Sequence, residues 1–150
     1  MGDQSLCVKC RDGRLEEIRV ALEAGEDPNS TCGTGRYRTC LMIAVDNNRV
    51  EVVALLLSCD GINVNAKDVD NHTALHYACH QRHVACLSKL LDFPGVLLNE
   101  RDNQGFTPVM LAAVGGMRNA ECLHLMAEMP EVDLPMEGDA DLLYNHVNMG

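Results

Sequence analysis

Apolar residues recur at helical spacing in pairs of short runs along this chain. The pairs are Leu41 to Asp46 with Val50 to Leu57, Leu75 to His80 with Val84 to Leu91, and Val109 to Val114 with Asn119 to Glu128. Within each run the apolar positions fall three or four apart, the spacing of one buried helix face. Each pair therefore predicts a short helix, a tight turn and a second helix. The pairs are also copies of one another. Thr39-Cys40-Leu41-Met42-Ile43-Ala44, Thr73-Ala74-Leu75-His76-Tyr77-Ala78 and Thr107-Pro108-Val109-Met110-Leu111-Ala112 are 34 residues apart (73 − 39 and 107 − 73). A fixed period of this length marks an array of stacked units.

The residues at the helix ends support the same division. A Thr before an apolar stripe is an N-cap, its hydroxyl accepting a bond from a backbone N–H of the first turn. Pro108 sits at a first helical position, where its missing N–H costs nothing. Upstream, Leu6, Cys7 and Cys10 line one face of a short helix that Gly13 ends, and Leu15, Ile18, Ala21 and Leu22 make a second stripe that stops at Gly25. Ser5 to Asn29 thus reads as a degenerate first unit. The loop from Cys32 to Arg38 carries a two-residue insertion relative to the later loops (39 − 29 against 73 − 65), and Gly115 to Arg118 adds two more (123 − 87 against 34). After Pro130 the pattern decays, leaving Asp139 to Asn148 as a partial helical cap or a tail.

Composition narrows the chemistry. Aromatics are few, with no Trp, so the core must be built from Leu, Val, Ile, Met, Ala and Cys. The formal net charge is −10, and Ala127 to Gly150 holds six acids and no Lys or Arg. Without clustered cations the chain is expected to bind neither nucleic acid nor an anionic membrane. No apolar run is long enough to span a bilayer. The polar start Met1-Gly2-Asp3-Gln4-Ser5 has no secretory core, so the eight Cys are expected to be thiols in a reducing compartment. That places the protein inside the cell, in the cytoplasm with the nucleus open.

Thr73-Ala74-Leu75-His76-Tyr77-Ala78, preceded by Asp68 and framed by Asn65 and Asn99, resembles an ankyrin repeat. The resemblance covers about Ser5 to Leu134. It implies an all-α repeat solenoid of helix-turn-helix units with projecting β-hairpin loops: four repeats over about 5–29, 39–65, 73–99 and 107–134 within a domain at 1–135, then a weak partial repeat or tail at 136–150. The implied hairpins are Pro28 to Arg38, Val64 to His72 and Leu98 to Phe106, with a fourth near Leu134. The family's His is kept at His76 and replaced by Met42 and Met110. Asn65 resembles the asparagines that are hydroxylated in some ankyrin repeats.

Catalytic and metal chemistry find little footing. His76, Cys79, His80 and His83 have ligand-like spacing, but three of the four fall on positions that the repeat itself explains. Cys7 and Cys10 could form half a zinc site with Cys32 and Cys40, although that spacing fits no strong zinc pattern. Gly33-Thr34-Gly35 lacks the Lys-Ser/Thr of a phosphate loop. The expectation is a non-enzymatic protein-interaction module, an adaptor or scaffold, with no cofactor and acting as a monomer on an unidentified protein partner. The resemblance places the contacts on a concave surface formed by loop tips and the first helices. The positions are Arg38, Asp46 and Asn47, then Val69, Asp70, His72, His80 and Gln81, then Asn103, Gln104, Phe106 and Val114; the inserted loop, a departure from the family, adds Arg36 and Tyr37. Among them Phe106 is the sharpest candidate, because exposed aromatics often carry interface energy; the alternative, equally weighted, is that its ring folds back onto the neighbouring hairpin. The alternative is a structural spacer within a larger protein; a zinc-binding or catalytic role ranks below both.

Overall fold

The computed structural model describes residues 5–33 and 35–135. Among them are eight α-helices: α1 (Leu6–Asp12), α2 (Leu15–Glu23), α3 (Cys40–Asp46), α4 (Val50–Leu57), α5 (Ala74–Gln81), α6 (Val84–Leu91), α7 (Pro108–Val114) and α8 (Ala120–Ala127). A 3-10 turn at Gly116–Asn119 takes up the insertion before α8. The odd-numbered helices pack in sequence as one layer and the even-numbered helices as a second. The possible helix at Asp139 to Asn148 lies outside the described residues.

Small residues let the layers approach. Ala44, Ala78 and Ala112 are each fully buried, and beside them Leu41, Leu75 and Val109 fill the space between units. Burying each large aliphatic side chain contributes about 1.5–3 kcal/mol, and no single helix pair could bury its own stripe without a neighbour. The core is accordingly one cluster running from Leu6 to Met126. Thr39 and Thr107 cap as expected, their hydroxyls accepting from Met42 N at 3.2 Å and Met110 N at 3.3 Å. Gly13 is required where it stands: its φ of 73° favours glycine, and a Cβ there would meet the Arg49 side chain at 3.1 Å.

Two hydrogen-bonded series join successive units. On one side Asn29, Asn65 and Asn99 each donate from Nδ2 to a carbonyl of the next unit, at Gly61 (2.9 Å), Gly95 (3.0 Å) and Glu131 (2.9 Å). Their Oδ1 atoms accept from Asn63 N (2.7 Å), Leu97 N (2.8 Å) and Asp133 N (2.7 Å). At the turns between helices, Arg49 Nε donates to Arg11 O (2.9 Å) and the His83 ring to Asp46 O (3.1 Å). Asn119 Nδ2 donates to Cys79 O at 2.7 Å. Each bond satisfies a helix-terminal carbonyl or loop backbone group that would otherwise lack a partner.

The projecting loops differ from the expected β-hairpins. Among the described residues there is no strand, only an isolated antiparallel bridge between Thr31 and Thr39. The next two loops are closed by a carboxylate instead. Asp68 Oδ1 accepts from Asp70 N and His72 N, both at 2.9 Å. Asp102 Oδ1 does the same for Gln104 N and Phe106 N at 2.9 Å. One backbone bond crosses the base of each, Asp68 N to His72 O (3.0 Å) and Asp102 N to Phe106 O (2.9 Å). An Asp side chain that binds its own turn replaces the ladder of a longer hairpin. Asn71 sits at the tip with φ 60°, the left-handed conformation that Asn tolerates.

Candidate functional site at the loop tips

The loop tips are fastened to one another. Val69 N donates to Arg36 O at 3.1 Å, Asn103 N to Asp70 O at 2.9 Å, and Asn103 Nδ2 to Val69 O at 3.1 Å. Asn71 Nδ2 donates to Asn103 Oδ1 at 2.6 Å. The result is a ridge held by backbone as well as side chains. Tyr37, at φ 53°, stands 61% exposed on it, and Val69 is 45% exposed.

Beneath the ridge lies a polar network that uses several of the predicted contact residues internally. Arg38 Nη1 meets Asp46 Oδ2 at 3.0 Å, and its guanidinium carbon lies 5.9 Å from the Tyr77 ring centroid. Gln81 Nε2 donates to Asp46 Oδ1 at 2.8 Å. Tyr77 donates its hydroxyl proton to Asp68 Oδ2 at 2.6 Å; burial and this bond push its pKa up. His72 stands between two buried carboxylates, with Nε2 3.0 Å from Asp102 Oδ2 and Nδ1 3.7 Å from Asp68 Oδ2. Its ring meets Tyr77 and His76 edge-on.

His76 completes the layer. Its Nδ1 faces Thr73 N at 3.0 Å and its Nε2 faces Phe106 O at 2.8 Å. An amide N–H can only donate and a carbonyl can only accept, so the ring is neutral with its proton on Nε2. Burial lowers its pKa below the usual 6.5, outweighing the raising effect of the Phe106 carbonyl.

The predicted contact positions therefore divide. Arg36, Tyr37, Asn47, Val69, His80, Gln81, Asn103 and Gln104 are exposed, while Arg38, Asp46, Asp70, His72 and Val114 are half-buried. Phe106 is a correction: only 4% exposed, it cannot offer its ring to a partner. Its N–H is held by Asp102 and its C=O by His76, and the ring turns inward, where burial stabilises it more than solvent would. Asn65, the candidate for hydroxylation, has its amide engaged at both ends by Gly95 O and Leu97 N.

Reading the sequence missed Asp68 and Asp102 as organisers of the tips, and Tyr77 and Leu111 as part of the surface. The signal for the acids was an Asp five residues before two of the three cap Thr residues (Asp68 and Thr73, Asp102 and Thr107). A depression of about 200 Å³ lies between His72, Tyr77, His80, Gln104 and Leu111. Asp68, Asp70 and His72 place ligand atoms within 4.8 Å of one another. Asp68, however, already accepts from two backbone N–H groups and the Tyr77 hydroxyl. Of the spaced set His76, Cys79, His80 and His83, His76 and His83 bond to different carbonyls, Cys79 is buried and His80 points to solvent.

Comparison with known proteins decides the family. A family model described as ankyrin repeats (3 copies) matches residues 2–68 and again 64–136. The chain belongs to the ankyrin-repeat family. Ankyrin repeats are generally protein-interaction modules and typically non-catalytic. Alpha-latrotoxin-Lg1a of Latrodectus geometricus is 38% identical over 84 residues, covering 55% of this chain and 6% of the toxin. SMC5-SMC6 complex localization factor protein 1 of Bos taurus is 38% identical over 96 residues, 59% of this chain and 9% of that protein. Protein fem-1 homolog A-like of Mus musculus is 32% identical over 114 residues, 72% of this chain and 17% of its own length. The chain thus spans only a small part of each of these relatives. Among the described residues, no helix of this ankyrin array is long and apolar enough to cross a membrane.

Proposed function

We propose that this ankyrin array is a non-enzymatic adaptor or scaffold whose loop-tip ridge and adjoining first helices bind a protein partner. One observation carries the reading: Tyr37 and Val69 are exposed on tips that backbone hydrogen bonds tie together. Large apolar groups on the surface cost little to hold when the backbone beneath them is already ordered, and a partner covering them loses little extra entropy. The depression beside His80, Gln104 and Leu111 gives such a partner a place for one side chain. The acidic charge and scattered cations direct the reading to a polypeptide rather than nucleic acid or membrane. In this reading the protein works inside the cell, as a monomer.

The test compares two surface variants in affinity capture followed by mass spectrometry. One carries Tyr37→Ser, Val69→Ser, His80→Ala and Gln104→Ala; the other carries Val20→Ser and Leu97→Ser, exposed residues outside the ridge. The ridge variant should lose the specifically captured protein while keeping the wild-type melting temperature, and the other should retain it. Equal capture by both variants rejects the assigned face. The absence of any specific capture by the unaltered chain favours the spacer alternative.

A further inference from the structure

Four cysteines that are scattered in sequence converge beneath the inserted loop. α1 packs directly on α3, and Cys7 Sγ lies 3.3 Å from Cys40 Sγ. Cys7 Sγ is also 3.9 Å from Ser30 O, and neighbouring Cys10 together with burial holds the Cys40 thiol above its ordinary pKa. Cys7, Cys10 and Cys40 are buried, at 3%, 0% and 0% exposure; Cys32 is half-buried in the loop nearby.

Packing alone does not call for thiols here. Aligning Ser5 with Thr39 puts Leu41, Leu75 and Val109 at the place of Cys7, and Ala74 and Pro108 at the place of Cys40. The same inter-unit contact is thus made by aliphatic groups in the interior of the stack, where the first interface has two sulfurs. Among the described residues α1 and α2 pack on a neighbouring unit, α3 and α4, on one side, and a unit with one neighbour opens at lower free energy than one held on both sides.

We propose that Cys7 and Cys40 are a redox-modifiable pair, joined as a disulfide when the chain meets hydrogen peroxide. Peroxide oxidises one sulfur to a sulfenic acid as its O–O bond breaks and a first water leaves. The second sulfur then displaces that hydroxyl, the S–O bond breaks, an S–S bond forms, and a second water leaves. Two thiols lose two electrons and two protons, and one peroxide becomes two waters. The sulfurs need to close only from 3.3 Å to about 2.05 Å. Because the link spans 33 positions, it restricts the opened chain and locks the first repeat onto the second. It also tethers both ends of the segment that carries Arg36, Tyr37 and Arg38, since Ser30 O bonds to Cys40 N at the base of that loop.

The experiment uses the full chain, exposed to peroxide under native conditions, then alkylated in denaturant and digested with trypsin without reduction. Cleavage after Lys9, Arg11, Arg36, Arg38 and Arg49 puts Cys7, Cys10, Cys32 and Cys40 on four different peptides. The expected product joins the Cys7 peptide to the Cys40 peptide, disappears on reduction, and does not dominate when oxidation is done in denaturant. Native proteolysis within the first repeat should slow by more than about tenfold on oxidation, and Cys7→Ala should abolish that protection. The proposal is overturned if Cys40 is found joined to Cys10 or Cys32 instead. It is equally overturned if Cys7 and Cys40 remain alkylatable after the half-buried Cys59 has been oxidised. Since the product is read on the unaltered chain, the outcome does not depend on the folding of any variant.

Discussion

Replacing His76 with Met probes the one layer in which a buried titratable group does the work that methionine does elsewhere. Met42 and Met110 occupy the corresponding positions of the neighbouring repeats and are each 1% exposed, so the cavity shape accommodates the change. At neutral pH the variant leaves Thr73 N–H and Phe106 C=O without the ring that now bonds both. Unsatisfied buried groups of this kind cost about 1–3 kcal/mol. Acid should narrow the difference. The folded ring is held neutral, with its pKa below the ordinary 6.5, mainly by burial. The unfolded chain takes up a proton as pH falls through that value while the folded chain does not. This contribution to stability is therefore complete above the unfolded pKa and is lost as pH falls toward the folded one. At about pH 5 the loss reaches at most about 2 kcal/mol, and it applies to the wild type alone. Urea unfolding followed by circular dichroism at about pH 7.5 and about pH 5 measures the gap between the two proteins. His72, whose ring meets His76, is replaced by Gln in both proteins, and the remaining histidines are common to both and cancel in the difference. A gap that is the same at both pH values would refute the neutral, doubly bonded assignment of His76.

Three further outcomes test other parts of the structure. Phe106→Ala should destabilise the array by about 3–5 kcal/mol in chemical denaturation, as expected for a buried ring; a stable variant with lost partner capture would return Phe106 to the surface. Asn65→Ala should cost about 1 kcal/mol and speed hydrogen exchange at the Leu97 amide, whose acceptor it removes; unchanged exchange there would show that the inter-repeat bond does not hold in solution. A double-mutant cycle on Arg38→Ala and Asp46→Ala should give a coupling of about 0.5–1 kcal/mol for this partly exposed pair, and a value near zero would mean that the ion pair adds nothing to the ridge.

By itself the sequence determined the repeat, its 34-residue period, the helix pairs and their Thr caps, because helical periodicity and capping are local properties written in consecutive residues. It also pointed to the inserted loop that carries Tyr37. What it could not determine was which polar residues face each other between repeats. Asp68 and Asp102 looked like ordinary loop acids, yet each is buried and closes a turn. Phe106 stood open between the surface and the neighbouring hairpin because a position just before a cap is tolerant of sequence, and only His76 and Asp102, brought from other parts of the chain or loop, fixed it inward. Cys7 and Cys40 had no meaningful spacing until α1 packed on α3. The Cys7–Cys40 and His76–Phe106 contacts span 33 and 30 positions, about one repeat, so they exist only after neighbouring units stack, and the stacking register is a tertiary decision that no local pattern records.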